Sequence, residues 1–223
     1  MNELLETDQR LFPQLPQGAQ AEWMLAMVYA LGHKENRMNE MNVIRLLKQE
    51  PELPLSTETI FLLYRELVKG SDEPAAYKQE NNYIESRNYL YIPASADMVE
   101  EEMEKLCQKY GYLTAIGPDQ AEDILKFLLE FICIHPFANG NGRLSALLVQ
   151  WLLANAGYQC AFYLPYDIVM HRIHASEYQR EIIRASGCFY GMKPYEFAPF
   201  VAHQKTILNQ SYETLEAAMG KLL

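Results

Sequence analysis

Two long and almost uniformly apolar segments flank one short polar loop, and they constrain the fold more than any other feature of the sequence. The first is AEDILKFLLEFICI, residues 121–134, and the second is LSALLVQWLLANAG, residues 144–157. A helix that is apolar on most sides must be buried on most sides. Asp119, three residues before Glu122, is predicted to cap the first helix. The sequence therefore predicts two central helices joined by the loop HPFANGNGR, residues 135–143.

The rest of the chain shows mostly helical spacing of apolar residues. The segments with this spacing are residues 21–32, 39–49, 57–70 and 96–110 and the stretch from about 194 onward, with Phe197, Phe200, Val201 and Leu208 on its apolar side. The apolar side of that last stretch is expected to pack either in the core or at an interface. Residues 81–93, NNYIESRNYLYIP, have the pattern of a β-hairpin. The predicted fold class is all-α, mainly helical, with one small β-hairpin, and Trp23 and Trp151 are predicted to be core residues.

Charge and composition exclude several classes of partner. The 223 residues carry a net charge of −10 and a pI near 5.0, which disfavours general electrostatic binding to nucleic acid or an anionic membrane. The first ten residues have neither a basic nor an apolar region, so we expect no secretory signal. The four cysteines lack metal-like spacing, and no nearby acid completes a metal site with His171 and His174. We expect a cytoplasmic protein with reduced thiols that binds neither nucleic acid nor membrane.

The loop between the central helices combines an anion site with a base. Gly140 and Gly142 let the backbone N–H groups at the start of a helix approach a phosphate closely. Asn141 adds a side-chain amide, and Arg143 adds a forked positive charge. His135 exchanges a proton near neutral pH. Phosphoryl or nucleotidyl transfer to a hydroxyl requires this combination, although the residues alone leave open an ordinary Asn-Gly turn with a structural histidine.

Residues 135–143 closely resemble the signature of the Fic family (filamentation induced by cyclic AMP), usually written HxFx(D/E)GNGRxxR. The matching positions are His135, Phe137, Gly140, Asn141, Gly142 and Arg143. Residues 81–93 resemble the target-binding flap of that family. Residues 177–182, EYQREI, fall where its members carry a tyrosine-bearing helix. The resemblance covers roughly residues 20–200.

The resemblance implies a bacterial-type protein adenylyltransferase that uses ATP and Mg²⁺. His135 would take the proton from a Ser, Thr or Tyr hydroxyl of a target protein, and the oxygen would attack the α-phosphate of ATP. The loop amides, with Asn141 and Arg143, would hold the phosphates, while Phe137 would anchor the loop in the core. The target protein would pair with the flap edge as an added strand. The flap residues that this implies are Tyr83, Ile84, Tyr89, Leu90 and Tyr91.

Two positions depart from the family pattern. Asn139 stands where the family has the acid that holds Mg²⁺, and a neutral amide oxygen is a weaker ligand for that cation. Ala146 replaces the second arginine, which costs one charge-assisted hydrogen bond to the phosphates. Three functions therefore stay open: an adenylyltransferase weakened by these changes, a Fic enzyme with another donor or with de-modifying chemistry, and a catalytically silent Fic binding module.

Residues 31–47 resemble the inhibitory segment (S/T)xxxE(G/N) of many Fic proteins, in which a glutamate blocks the ATP site. Glu35 and Asn36 match its last two positions, whereas Leu31 stands in place of the Ser/Thr, and a solvated glutamate at a helix end is the alternative. In a de-modifying enzyme, Glu35 would orient a water. Fic proteins commonly self-associate, so a homo-oligomer also stays open. The domains that we predict are an N-terminal helical segment with the inhibitory helix (1–55), the Fic core (56–205) and a C-terminal helical tail (206–223).

Overall fold

Helices α6 (Glu122–Ile134) and α7 (Asn141–Asn155) form the centre of the protein, as the sequence predicted. The structure is a computed structural model that describes residues 1–30, 38–86 and 89–220. The two helices pack against each other, and both are buried along most of their length. Because the loop between them joins two buried helices, its base lies in the core.

The other helices surround this central pair. They are α1 (Asn2–Leu11), α2 (Ala19–Ala30), α3 (Met38–Gln49), α4 (Thr57–Leu67), α5 (Val99–Tyr110), α8 (Tyr166–Ile168), α9 (Ala175–Ser186) and α10 (Phe197–Met219). α5 and α10 pack on α6, whereas α3 and α4 pack on α7. A π-helical turn, Val169–Ile173, follows α8 and leads towards α9. No helix in the described ranges is long and apolar enough to span a membrane.

The predicted hairpin forms from β1 (Ile84–Ser86) and β2 (Tyr89–Tyr91), which pair antiparallel with Ile84 opposite Tyr91. The fold class, mainly helical with one small hairpin, is therefore confirmed. Just after β2, the Ile92 N–H donates to the Cys188 carbonyl at 3.0 Å, and the Ile92 carbonyl accepts from the Tyr190 N–H at 2.9 Å. These two hydrogen bonds attach the hairpin to the segment between α9 and α10.

A buried carboxylate attaches the N-terminal helix to the core. Asp8 of α1 is fully buried and accepts hydrogen bonds from the N–H groups of Gln159 and Cys160, both at 2.8 Å. The Tyr212 hydroxyl of α10 donates a third hydrogen bond at 2.9 Å. Because a buried charge is tolerated only where donors satisfy it, these contacts fix α1 against α10 and the turn after α7.

The predicted helix from about residue 194 onward is α10, which runs across residue 205, and its apolar side, with Phe200 and Leu208, is in the core. Two details differ from the sequence predictions. Asp119 lies in a short 3₁₀ turn, and no side chain caps α6. Trp23 was predicted to be in the core but is 56% exposed. Because α2 is apolar nearly all round, its sequence does not indicate which side faces the core.

Candidate active site

His135 lies at the end of α6 in a backbone conformation that suits glycine better than histidine. Its φ is +52° and its ψ is 62°, and its N–H donates to the Phe131 carbonyl at 3.0 Å, which closes the helix. Helices usually end this way on glycine, because a Cβ is strained in the left-handed region. Within the described ranges, His135 is the one non-glycine residue with positive φ. Strain of this kind concentrates at functional sites, so it supports a role for the imidazole.

Two side chains hold the loop closed. The Asn141 amide oxygen accepts from the Phe137 N–H at 3.0 Å, and its amide nitrogen donates to the Phe137 carbonyl at 2.7 Å. Phe137 is fully buried and stacks on the Tyr64 ring, with 3.6 Å between ring centroids, so it anchors the loop. The structure corrects the prediction for the Asn141 side chain, which is buried inside the loop and does not face a phosphate. Only its backbone N–H remains available for that role.

Lys78 holds the backbone on both sides of His135. Its N–H donates to the Pro136 carbonyl at 2.9 Å, and its Nζ donates to the Ile134 carbonyl at 3.3 Å. Nζ also donates to the Asn82 side chain at 2.9 Å. Lys78 is buried despite its charge. Sequence reasoning missed this residue, because a lone lysine in a polar stretch gives no signal that its side chain turns inward.

The surroundings of His135 keep its imidazole neutral. Burial, and then the positive charge of Lys78, lower the pKa of His135 to about 4. Burial also lowers the pKa of Lys78, to about 8, so the lysine is mostly charged at neutral pH. A neutral imidazole has a lone pair with which to accept a proton, as a general base must.

The N-terminus of α7 has the geometry of the predicted anion site, although with fewer groups than predicted. Gly140 precedes the helix with φ +78°, and no side chain caps the first turn, so the N–H groups of residues 141–143 are available to a ligand. The Gly140 N–H itself donates to the Asn139 side-chain oxygen at 2.8 Å and is already paired. At Gly142 the lack of a side chain matters, because an added methyl group would lie 3.0 Å from the ring of His171.

An acid from α3 lies beside the predicted phosphate-binding arginine. The Arg143 guanidinium is 3.6 Å from the carboxylate of Glu40, which is buried. Arg143 is more than one-third exposed, so it can still reach a ligand. The predicted inhibitory residue, Glu35, lies outside the described residues. Glu40 follows it by five positions, and the sequence offered no reason to prefer Glu40.

The Glu73 carboxylate lies beside Asn139, the position at which this sequence lacks the acid of the family pattern. The Asn139 amide nitrogen donates to Glu73 at 2.9 Å. Mg²⁺ is commonly bound by one or two carboxylates together with substrate phosphates, and it does not need a complete cage of protein ligands. In the described part of the chain no three His, Cys, Asp or Glu residues cluster as a metal site. Glu73 is therefore the carboxylate that fits a phosphate-bound Mg²⁺ here, and Asn139 is the weaker second ligand, because its oxygen already accepts from the Gly140 N–H.

The loop opens into a cavity of about 190 Å³, which is lined by His135, His171 and Ile84 of the hairpin. A larger cavity, of about 490 Å³, lies between α4 and α5 and does not touch the loop. Its walls include Glu58, Glu100 and Glu104, and these carboxylates repel phosphates. The smaller cavity is therefore the one that adjoins the predicted site residues.

The hairpin residues divide between the two sides of the sheet. Tyr83 is 65% exposed and Leu90 is 46% exposed, so both are accessible to a partner. Tyr91 is buried and donates to the Cys133 carbonyl at 3.1 Å, which corrects its predicted role as a target contact. Ile84 is partly buried and lines the cavity. The side chain of Tyr89 lies outside the described residues.

His171 has an acidic neighbour that the sequence reading overlooked. Its Nδ1 is 2.8 Å from the Asp167 carboxylate, four positions earlier, a spacing that brings side chains together on a helix. His174 is hydrogen-bonded to Gln210 instead. The two histidines therefore have separate partners and do not share a metal site.

Comparison with known proteins bears on the identity of this loop. A model of the Fic/DOC family matches residues 54–153, which include α4, the hairpin, α6 and the loop. The chain carries a Fic domain. A Fido domain-containing protein of Dictyostelium discoideum is 28% identical over 83 residues, which are 37% of this chain and 55% of that protein. The chain therefore spans about half the length of this curated relative.

Solved structures show the same Fic fold. A Fic family protein of Desulfovibrio desulfuricans G20 superposes with a TM-score of 0.62 and 21% identity, over 96% of this chain and 63% of that one. The structure of IbpAFic2 in complex with adenylylated Cdc42 superposes with a TM-score of 0.58 and 16% identity, over 94% and 71%. At these identities the likeness shows the fold, and the reaction has to be argued from the site.

Proposed function

We propose that this Fic domain transfers AMP from ATP to a Ser, Thr or Tyr hydroxyl of a target protein. The observation that carries the proposal is the position of His135, which is neutral, held in a strained conformation and adjacent to the uncapped N-terminus of α7. A base beside an anion site is what nucleotidyl transfer to a hydroxyl needs. The complex of the similar protein IbpAFic2 with adenylylated Cdc42 supports this choice of reaction.

In the proposed reaction the phosphates of ATP lie at the N-terminus of α7. The N–H groups of residues 141–143 and the Arg143 guanidinium bind the phosphate oxygens. The target hydroxyl oxygen attacks the α-phosphorus, and the bond from that phosphorus to pyrophosphate breaks. His135 accepts the hydroxyl proton, for which its lowered pKa leaves a free lone pair at neutral pH. Lys78 keeps the imidazole in place through the carbonyls on either side of it.

Glu73 and Asn139 would hold Mg²⁺ against the phosphates. When bound there, the ion would neutralise phosphate charge. Glu73 compensates for the missing acid at position 139, because its carboxylate already contacts the Asn139 amide. Glu73→Gln should therefore raise the Mg²⁺ concentration that is needed for half-maximal transfer, whereas Glu66→Gln, at the end of α4 where Glu66 pairs with Lys69, should not.

The target segment would bind as a strand at the outer edge of β1. Ile92, at the end of β2, already exchanges hydrogen bonds with Cys188 and Tyr190, so the outer side of β2 is partly occupied. The exposed side chains of Tyr83 and Leu90 would contact the target. Backbone hydrogen bonds between strands depend little on the side chains of the target. The contacts of Tyr83 and Leu90 would therefore provide the selectivity of the flap for its target.

The test is auto-modification with ATP labelled at the α-phosphate, in the presence of Mg²⁺ or Mn²⁺. We expect label on the wild type, none on His135→Ala, and more on Asn139→Asp, which restores a carboxylate. Ala146→Arg would not be a clean gain-of-function variant, because Ala146 is fully buried. Label on Asn139→Asp alone would instead support a binding module that has lost the reaction, and label on His135→Ala would contradict the proposed base.

A further inference from the structure

A second histidine lies in the cavity that holds His135. The same cavity is lined by His171, Gly142 and Tyr178. The Tyr178 hydroxyl is buried, and within the described ranges it has no hydrogen-bond partner. Buried polar groups are normally satisfied, so a hydroxyl without a partner beside a cavity calls for an explanation, and an ordered water or a polar ligand would provide one.

The His171 ring is fixed on two sides. A carboxylate only accepts hydrogen bonds, so the 2.8 Å contact with Asp167 puts a proton on Nδ1 of His171. The ring also packs edge-on against Tyr178, with 5.2 Å between centroids and 85° between planes. Nε2 is the ring nitrogen that this arrangement leaves for a ligand, as an acceptor in the neutral form and as a donor in the charged form.

Nε2 of His171 points at the anion site. A methyl group added to Gly142 would lie 3.0 Å from Nε2 and 3.1 Å from Cε1, so the imidazole edge lies against the backbone of the first turn of α7. A phosphate bound to the N–H groups of that turn would have the His171 ring beside it. Asp167 holds the ring in this orientation through its contact with Nδ1.

We propose that His171, oriented by Asp167, is a second catalytic residue of this site and binds the nucleotide 5′-phosphate. As an imidazolium it donates a hydrogen bond from Nε2 to a phosphate oxygen. It thereby supplies positive charge in a site where the Arg143 guanidinium already lies beside Glu40. The identity of the nucleotide rests on the proposed function. The choice of His171 rests on the cavity and on the contact between His171 and Asp167.

The proposed role leaves the proton balance of the transfer unchanged. The hydroxyl proton moves to His135, pyrophosphate leaves the α-phosphorus, and His171 keeps its proton throughout. The two histidines therefore act in opposite protonation states, His135 as the neutral base and His171 as the charged donor. Burial and Lys78 favour the neutral state of His135, and Asp167 orients the His171 ring through Nδ1.

The test compares the binding of AMP and of adenosine by isothermal titration calorimetry, in the wild type and in His171→Gln and Asp167→Asn. His174→Gln is the matched control, since His174 is three residues away and bonds Gln210 outside the cavity. We expect His171→Gln to weaken AMP binding about ten- to a hundredfold, the range for one charge-assisted hydrogen bond. Adenosine binding should stay the same in both histidine variants, and Asp167→Asn should weaken AMP binding by a smaller factor. Thermal unfolding of each variant verifies that it is folded.

The outcomes separate this inference from the proposed function. AMP binding that falls in His171→Gln, with no label transferred by the wild type, would support the role of His171 and contradict the transferase. Label transfer by the wild type, with equal AMP affinity in the wild type and His171→Gln, would support the transferase and contradict the role of His171. An equal loss of AMP and adenosine affinity would overturn the phosphate contact, as would a wild type that does not bind AMP.

Discussion

The conformation of loop 135–143 depends on one buried side-chain amide, that of Asn141, and Asn141→Ala tests this dependence. The Asn141 side chain makes two hydrogen bonds to the backbone of Phe137, at 3.0 and 2.7 Å. Phe137 is fully buried, so the substitution leaves a donor and an acceptor without partners away from water. Each unsatisfied buried group costs about 1–3 kcal/mol, so we expect the free energy of unfolding to fall by about 2–6 kcal/mol.

Gln150→Ala is a matched control for this substitution. Gln150 is a buried amide on the same helix and donates to the carbonyls of Ala161 and Leu164, at 3.0 and 2.9 Å, far along α7 from the loop. Its loss should destabilise the protein by a similar amount. Only Asn141→Ala should also weaken AMP binding, by about tenfold, because the ligand must then order the loop.

The assays are urea denaturation for stability and calorimetry for AMP affinity, both below the unfolding transition. If Asn141→Ala and Gln150→Ala lower the AMP affinity equally, the loop is not specifically held by Asn141. If Asn141→Ala lowers the free energy of unfolding by less than about 1 kcal/mol, the two hydrogen bonds do not satisfy buried groups as described. Either result would refute the reasoning.

Three further substitutions test other parts of the site and fold. Lys78→Met should raise the pKa of His135 from about 4 towards its ordinary value, because a positive charge is lost, and NMR titration of the imidazole measures this; an unchanged pKa would leave burial as its sole cause. In the wild type, transfer should fall only as the pH approaches about 4, since the neutral imidazole is the active form, and a loss centred near pH 6.5 would contradict the lowered pKa. Glu40→Gln should strengthen AMP binding several-fold by freeing the charge of Arg143, and calorimetry that shows weaker binding would mean that Glu40 orients the arginine. Asp8→Ala should lower the free energy of unfolding by about 3–5 kcal/mol in urea denaturation, because three donors lose their acceptor, and a loss below about 1 kcal/mol would contradict that description.

The central architecture was predictable because its signals are local and strong. The apolar segments around residues 121–134 and 144–157 require burial, and the aromatic runs in residues 81–93 have the spacing of strands. Trp151 is buried as expected, whereas Trp23 is exposed. The difference arises because α2 lacks a polar face, so its sequence specifies a helix without specifying which side packs.

The side-chain contacts of the site were less predictable, because they join segments that are distant in sequence. Lys78 reaches carbonyls more than fifty positions away, and Glu73 contacts Asn139 across a separation of 66 residues. No spacing rule relates such positions. The His171–Asp167 contact, in contrast, has a helical spacing that was available in the sequence and was overlooked.

The most direct test of the proposed site is a crystal structure of the protein with AMP bound. We predict that the 5′-phosphate lies at the start of α7, within hydrogen-bond distance of the N–H groups of residues 141–143, with His135 on the side from which a hydroxyl approaches. AMP bound with its phosphate elsewhere, for example in the larger cavity beside Thr57 and Glu104, would contradict the assignment of the loop as the nucleotide site.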